Sequence, residues 1–217
     1  RVNRIKHENK RAFADFVRAT YGIEIDPSSI FDTQVKRLHA YKRQLMNALR
    51  IMYLYKTIKE NPNFEMHPVT FIFGAKAAPS YYFAKKVIEL INALAFHINN
   101  DPEVSKFIKI VFVENYGVTL AEKIIPATDI SEQISTAGYE ASGTSNMKFM
   151  MNGAITLGTL DGANIEIVDH AGRENNVIFG LTKEEVVAYQ KNGTYSAWAM
   201  YNDNEIIRDT LNMLFNG

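Results

Sequence analysis

The sequence contains no cysteine. That excludes disulfides, thiolate metal sites and a cysteine nucleophile, and it suits a reducing, cytoplasmic setting. No apolar run approaches membrane-spanning length. The longest uncharged one, Phe149–Leu160, is interrupted by Asn152, Gly153 and Gly158 and is too short. No secretory signal opens the chain. Histidine is sparse, and His7, His67, His97 and His170 lack ligand-like spacing, so no metal site is expected. Low-complexity tracts and internal repeats are missing too. Tryptophan occurs once, at Trp198, and the aromatic residues as a group suit a core.

What is present fits an ordinary globular protein. A length of 217 residues at 47% hydrophobic content allows one domain with a sizeable core, or two small ones. Formal net charge is zero, but residues 1–60 hold 13 Lys and Arg against 6 Asp and Glu. A basic half raises the idea of nucleic acid. No recognisable nucleic-acid module accompanies it, and no nucleic-acid partner is expected. The chain starts at Arg1 and ends at Gly217, after the helical pattern Ile206, Ile207, Leu211, Leu214 and Phe215. Both ends read as cut from something longer.

Helical and strand signals alternate. Residues 4–21 form an amphipathic pattern with Ala12, Phe13, Phe16 and Val17 on one face. Strands are expected at Phe31–Val35, Val69–Phe73, Ile108–Val113, Ala154–Leu157 and Val177–Phe179. Helices are expected over Leu38–Lys59, from Pro79 to about His97, over Thr119–Ile124, around Lys148 and from Lys183. The last carries a capping box, Thr182 with Glu185. Repeated β-α order with buried strands predicts an α/β fold with a parallel sheet covered by helices. Ligands of such sheets bind beyond the carboxyl ends of the strands.

Residues 135–148, S-T-A-G-Y-E-A-S-G-T-S-N-M-K, carry the most chemistry. Small and hydroxyl-bearing residues leave backbone N–H groups free to approach a phosphate, and a helix start adds partial positive charge. Lys148 stands one turn inside the helix among Met147, Phe149, Met150 and Met151. Burial there would favour a neutral amine suited to Schiff-base chemistry. Phosphate cradle plus buried amine points to pyridoxal phosphate. A nucleotide P-loop is rejected: Gly138 and Gly143 have the spacing, but Thr144 and Ser145 stand where Lys then Ser or Thr is required. On spacing alone, a glycine-rich turn with an ordinary surface lysine fits equally well.

A second cluster, Lys36, Arg37, His39, Lys42 and Arg43, falls where the long helix is expected to begin. Cations at a helix N-terminus oppose its dipole. An anion would relieve that conflict, held by the Arg37 fork and the Lys42 point charge. Alone, the cluster reads as a solvated basic face. Beside the cradle at 142–145 it implies two phosphates in one site.

The run from Ile130 to Ile167 closely resembles the cofactor region of the glycogen, starch and maltodextrin phosphorylases. V-K-R-L-H-A-Y-K-R-Q-L at Val35–Leu45, G-A-K-A-A-P at Gly74–Pro79 and A-E-K-I-I-P at Ala121–Pro126 resemble the same α-glucan phosphorylase family in collinear order. The resemblance implies a Rossmann-like parallel sheet with helices on both faces, a domain over 1–217. It would be part of the C-terminal lobe of a two-lobed glycosyltransferase B-type fold, with the N-terminal lobe absent. It also implies that the parent enzyme, a homodimer, cleaves α-1,4-glucan with orthophosphate to release glucose 1-phosphate. Pyridoxal phosphate would be held by Lys148, its phosphate acting as proton shuttle. Lys36, Thr144 and Ser145 match positions around the cofactor phosphate, and Tyr116 matches one beside its ring. Arg37 and Lys42 match substrate-phosphate ligands. Glu140, Ser142, Gly143 and Tyr41 match contacts to the glucosyl unit.

Three residues depart from the family pattern: Ala40 where many relatives have Glu, Ser145 where Gly is common, and Gly117 where some place Arg. They bear on allostery and cofactor packing more than on the reaction. Lys76 lines the crevice or sits on the surface. His39 contributes polarity to the basic cluster. Asp161-Gly-Ala-Asn164-Ile-Glu166 matches a family segment near the cofactor helix; its residues read as a structural turn and helix start, with a carboxylate pair for glycosidase chemistry as the other reading. Alone, the chain is expected to be inactive. Two other classes stay open. One is a pyridoxal enzyme acting on amino acids, which needs an acid at the pyridine nitrogen. The other is a non-catalytic, cofactor-free module.

Overall fold

The computed structural model describes residues 1–215; the last two positions of the expected 1–217 unit, Asn216 and Gly217, lie outside them. Six strands form one sheet: β1 (Ile30–Val35), β2 (Val69–Gly74), β3 (Ile108–Val113), β4 (Ile130–Gln133), β5 (Ile155–Gly158) and β6 (Val177–Ile178). All pairings are parallel, and the spatial order is β3-β2-β1-β4-β5-β6. The chain therefore winds outward in one direction from β1 to β3, then returns to β1's other side. The fold is Rossmann-like, with its topological switch point between β1 and β4.

Nine helices are described: α1 (Val2–Tyr21), α2 (Gln44–Glu60), α3 (Tyr82–Asn100), α4 (Val118–Ala127), α5 (Ser145–Met151), α6 (Asn164–Ala171), α7 (Lys183–Asn192), α8 (Ala197–Asp203) and α9 (Glu205–Phe215). They cover both faces of the sheet. On one face Phe13 and Val17 of α1, Ile124 of α4 and Phe149 of α5 pack on Phe31, Val35, Ile72 and Val111. On the other, Ala48 and Ile51 of α2 and Val87 and Ile91 of α3 pack on Phe71, Phe73, Ile108 and Ile110. Alternate residues of β2 go to opposite cores, as the period of a strand requires. Two lysines tie α1 to the amino-terminal side of the sheet. Lys10 Nζ donates to Ser29 O (2.6 Å) and Asp129 Oδ2 (2.5 Å), and Lys6 Nζ to Thr128 O (2.6 Å).

The expected strands are present to within a residue or two, as are the 4–21 helix and the Thr182–Glu185 capping box. The helix expected over Thr119–Ile124 runs three residues further, to Ala127, and three other elements differ. The long helix starts at Gln44, not Leu38. Ala40–Lys42 forms a 3-10 turn, and Arg43, at φ 58°, breaks the path before the helix. The third helix starts at Tyr82, so Pro79 lies in the preceding turn. β4 is a strand that the sequence pattern did not reveal. Its residues Ile-Ser-Glu-Gln carry only one large apolar side chain, yet they occupy the centre of the sheet.

Candidate functional site

The carboxyl ends of β1 and β4 part at the switch point, and a cavity of about 420 Å³ opens there. That lies within the range of about 300–1,000 Å³ usual for small-molecule sites. Its wall comes from five segments. Val35 ends β1, with Lys36 and Lys42 beyond it; Tyr116 and Gly117 follow β3 and lead into α4; Gln133 ends β4; and Asp161 and Asn164 lie beyond β5. Ser142 through Asn146 lead into Lys148 on α5.

Gly74 brings Tyr116 close. A Cβ at Gly74 would lie 2.7 Å from Val113 Cγ2, too close for any side chain, and a tight 3.2 Å from Tyr116 Cβ. Burial raises the affinity of the Tyr116 hydroxyl for its proton, pushing its pKa up.

Lys36 spans the crevice. Its Nζ donates to Glu132 O (2.9 Å) and to Gln133 Oε1 (2.7 Å). Burial pushes its pKa down to about 7, and the neighbouring Lys42 cation adds to the effect. Lys42 Nζ is paired with Glu140 Oε2 and lies 4.8 Å from the Tyr41 ring centroid. Burial opposes the Lys42 charge, but its bonds to Glu140 and Tyr41 outweigh this and its pKa is raised. The site therefore holds one firmly charged lysine beside one that is poised to gain or lose a proton near neutrality.

The 135–148 segment is anchored from below. Asp161 accepts hydrogen bonds from Ser135 Oγ (2.6 Å), Gly138 N (2.8 Å) and Glu140 N (3.0 Å). Ala163 N donates to Ser142 O at 2.7 Å. Gly162, at φ 53°, allows that approach, for a Cβ there would stand 2.3 Å from Ser142 O. Asn164 ties α6 to β4 through Gln133 O (3.0 Å) and receives Asn146 Nδ2 at 2.9 Å. Thr144 makes no side-chain cap to α5; Met147 N donates to Asn146 Oδ1 at 3.0 Å, and the Ser145 amide at the head of the helix is left open. At seven residues α5 has little dipole to offer. Hydroxyls, open amides and lysines make the cradle instead.

Most of the residues singled out from the sequence meet at this cavity: Lys36, Lys42, Tyr116, Glu140, Ser142, Gly143, Thr144, Ser145 and Lys148. Two do not. Arg37 is exposed and outside the lining, its carbonyl accepting from Gln44 Nε2 at 3.0 Å. Tyr41 stands outside the lining, its ring stacked on Tyr139 (6.1 Å) and tilted against His39 (4.7 Å). The expectation of a buried amine at Lys148 is also corrected. Lys148 is exposed, and so are Met147 and Met151. Only Phe149 and Asn146 of this short helix turn fully inward. Gln133 was missed altogether, because a polar residue closing a strand carries no motif. Asp161 and Asn164 were noticed in a turn and helix start, but not as the anchors of the 135–148 segment.

A parallel sheet with helices on both faces and a lysine- and hydroxyl-lined cavity at its switch point defines an α/β protein of the doubly wound class. Among the described residues, no helix is long and apolar enough to cross a membrane. The chain belongs to the carbohydrate phosphorylase family, whose model matches residues 1–217. It is 56% identical, over 98% of its length, to the glycogen phosphorylase of Bacillus subtilis (strain 168), of which it covers 27%. It is 54% identical, over 92% of its length, to the liver form of glycogen phosphorylase from Bos taurus, covering 23% of that protein. To the muscle form from Mus musculus it is 50% identical over its whole length, covering 26%. The chain thus spans about a quarter of the length of these curated relatives. Its sheet is consistent with part of the glycosyltransferase B-type fold of a phosphorylase.

Proposed function

We propose that residues 1–217 form one domain of the C-terminal lobe of an α-glucan phosphorylase. The whole enzyme would cleave terminal α-1,4-glucosidic bonds with orthophosphate and release glucose 1-phosphate. The observation that carries this proposal is the convergence of Lys36, Lys42, Glu140, Thr144, Ser145 and Lys148 on one cavity at the switch point.

The cavity fits pyridoxal phosphate. Lys148 offers an accessible amine in the wall, Thr144 and Ser145 offer hydroxyls and open amides, and Tyr116 offers a flat apolar ring. Lys36 would stand against the phosphate. Once bound, the cofactor supplies a phosphate able to give and take a proton beside the substrate phosphate. Lys36 would hold that phosphate charge, and its Nζ would gain a proton as a dianion approaches. Lys42 would bind the incoming orthophosphate as a fixed cation, and Arg37 would join it from the rim. Glu140, Ser142, Gly143 and Tyr41 would orient the glucosyl unit. Cations around the developing negative charge stabilise the transition state.

The competing class, a pyridoxal enzyme acting on amino acids, needs a carboxylate at the pyridine nitrogen. The carboxylates in the wall are Glu140 and Asp161. Glu140 is paired with Lys42, and Asp161 is occupied by three loop donors. Neither is free for that task, which favours chemistry centred on phosphate.

The test is a chimaera in which this chain replaces the matching quarter of the Bacillus subtilis glycogen phosphorylase. Release of glucose 1-phosphate from glucan should require orthophosphate. Lys148→Ala should lower the rate roughly a hundredfold or more. Equal rates with and without Lys148 would contradict the proposal.

A further inference from the structure

The turn after β5 places a buried carboxylate directly beneath the 135–140 loop. Asp161 is only 4% exposed, yet its partners are not a cation in direct contact. They are three donors from a single stretch of chain. Oδ1 takes the Gly138 amide, and Oδ2 takes both the Glu140 amide and the Ser135 hydroxyl. Both oxygens are therefore used, and all their partners lie on the loop. The Arg43 guanidinium senses Asp161, and its Nε donates to Ile134 O at 2.6 Å. Arg43 grips the carbonyls at the start of the loop while Asp161 grips the amides that follow.

Immediately beyond the last of those amides, the Glu140 side chain meets Lys42 from the other side of the crevice. The Glu140 N–H is held by Asp161, which fixes the backbone from which that side chain projects. A short-range partner supports the same arrangement: Ser142 O accepts from Ala163 N at 2.7 Å, two residues along from Asp161. An amide at position 161 would present N–H groups to donors that need an acceptor, so only a carboxylate gathers all three.

We propose that Asp161 is the positioning residue that sets Glu140 against Lys42, by drawing the donors of the 135–140 loop onto one buried carboxylate. It acts through the loop, since its own oxygens are committed. This deepens the proposed function and rests on it only for what Glu140 and Lys42 bind. The device would tune the spacing between the sugar contact and the phosphate contact without touching either ligand.

The experiment uses the chain as it is, with no cofactor or glucan, so its outcome is separable from that of the phosphorolysis test. Amide hydrogen exchange and acetylation of lysines are measured for the unaltered chain, Asp161→Asn and Ser135→Ala. Asp161→Asn should speed exchange at Gly138 and Glu140 by about tenfold or more. It should also raise acetylation of Lys42 severalfold, because Glu140 no longer shields it, while leaving Lys148 acetylation unchanged. Ser135→Ala should loosen the same segment to a smaller degree, and it decides the question should Asp161→Asn fail to fold. Unchanged exchange and unchanged Lys42 acetylation would overturn the proposal. So would a rise shared equally by Ile108–Val113, which would make Asp161 a general support of the sheet.

Discussion

Two lysines exchange the roles that their neighbours in sequence imply. Lys148 sits in a run of Met and Phe, which reads as burial. A helix of under two turns cannot bury every side, however, and Phe149 takes the inward position while Lys148 remains exposed. Lys36 has no apolar neighbour except Val35, yet it is the lysine whose charge is strained. It lies where β1 and β4 separate, and that position is a property of topology, invisible in local composition. The consequence is measurable. Burial pushes the Lys36 pKa down to about 7. A dianion alongside must raise that value, so binding at or above pH 7 takes a proton up from solution. Calorimetry of pyridoxal phosphate or orthophosphate binding in buffers of different ionisation enthalpy should detect up to one proton bound at pH 8. The uptake should shrink toward pH 6, where Lys36 is already protonated. Lys36→Met should abolish it. Uptake that persists in the variant would assign the proton elsewhere.

At the level of elements, the strands rich in Ile, Val and Phe and the glycine-rich loop were legible because each carries its own pattern. β4 was not, since its Ile-Ser-Glu-Gln run is stabilised by its neighbours rather than by its own hydrophobicity. The basic cluster illustrates the reverse error. Its cations appeared to crowd a helix start, but Lys36 through Lys42 precede α2, and Arg43 in a left-handed conformation separates them from it. The expected conflict with the helix dipole is thereby largely removed, leaving the lysines free to serve the crevice.

β4 instead introduces a different tension. Asp32 of β1 and Glu132 of β4 are both buried and share Arg50 of α2, at 3.0 Å and 2.5 Å. One cation faces two carboxylates, and Asp32 Oδ1 has no partner. Burial pushes the Glu132 pKa well above the usual carboxylate range, and the Asp32 charge adds to it; burial likewise raises Asp32. A carboxyl whose pKa is raised on folding holds its proton longer in the folded state. Stability is then greatest at or below the usual carboxylate range and declines as pH rises toward the raised value. Glu132→Gln should flatten this decline, by at most about 1.4 kcal/mol per pH unit. Urea denaturation between pH 5 and pH 9 checks it. Parallel curves for the variant and the unaltered chain would show that the triad does not hold the extra proton.

For the whole molecule, strand order is what assembles the site. β1 and β4 are far apart in sequence, and their separation at the switch point joins Lys36 to the 142–148 segment. Family-like wording in the sequence identified most of the wall, but Gln133 and the carboxylate under the loop required the fold. Arg37 remains outside the wall, close to it in sequence and exposed in space. The central claim is that this one cavity receives an anionic aldehyde and holds it on Lys148. The most direct measurement is to incubate the chain with pyridoxal phosphate, reduce with borohydride and map the labelled peptide by mass spectrometry. The label should appear on Lys148, and Lys36→Met should weaken it by removing the phosphate's partner. Labelling spread over surface lysines such as Lys85 and Lys191, with Lys148 spared, would contradict the account.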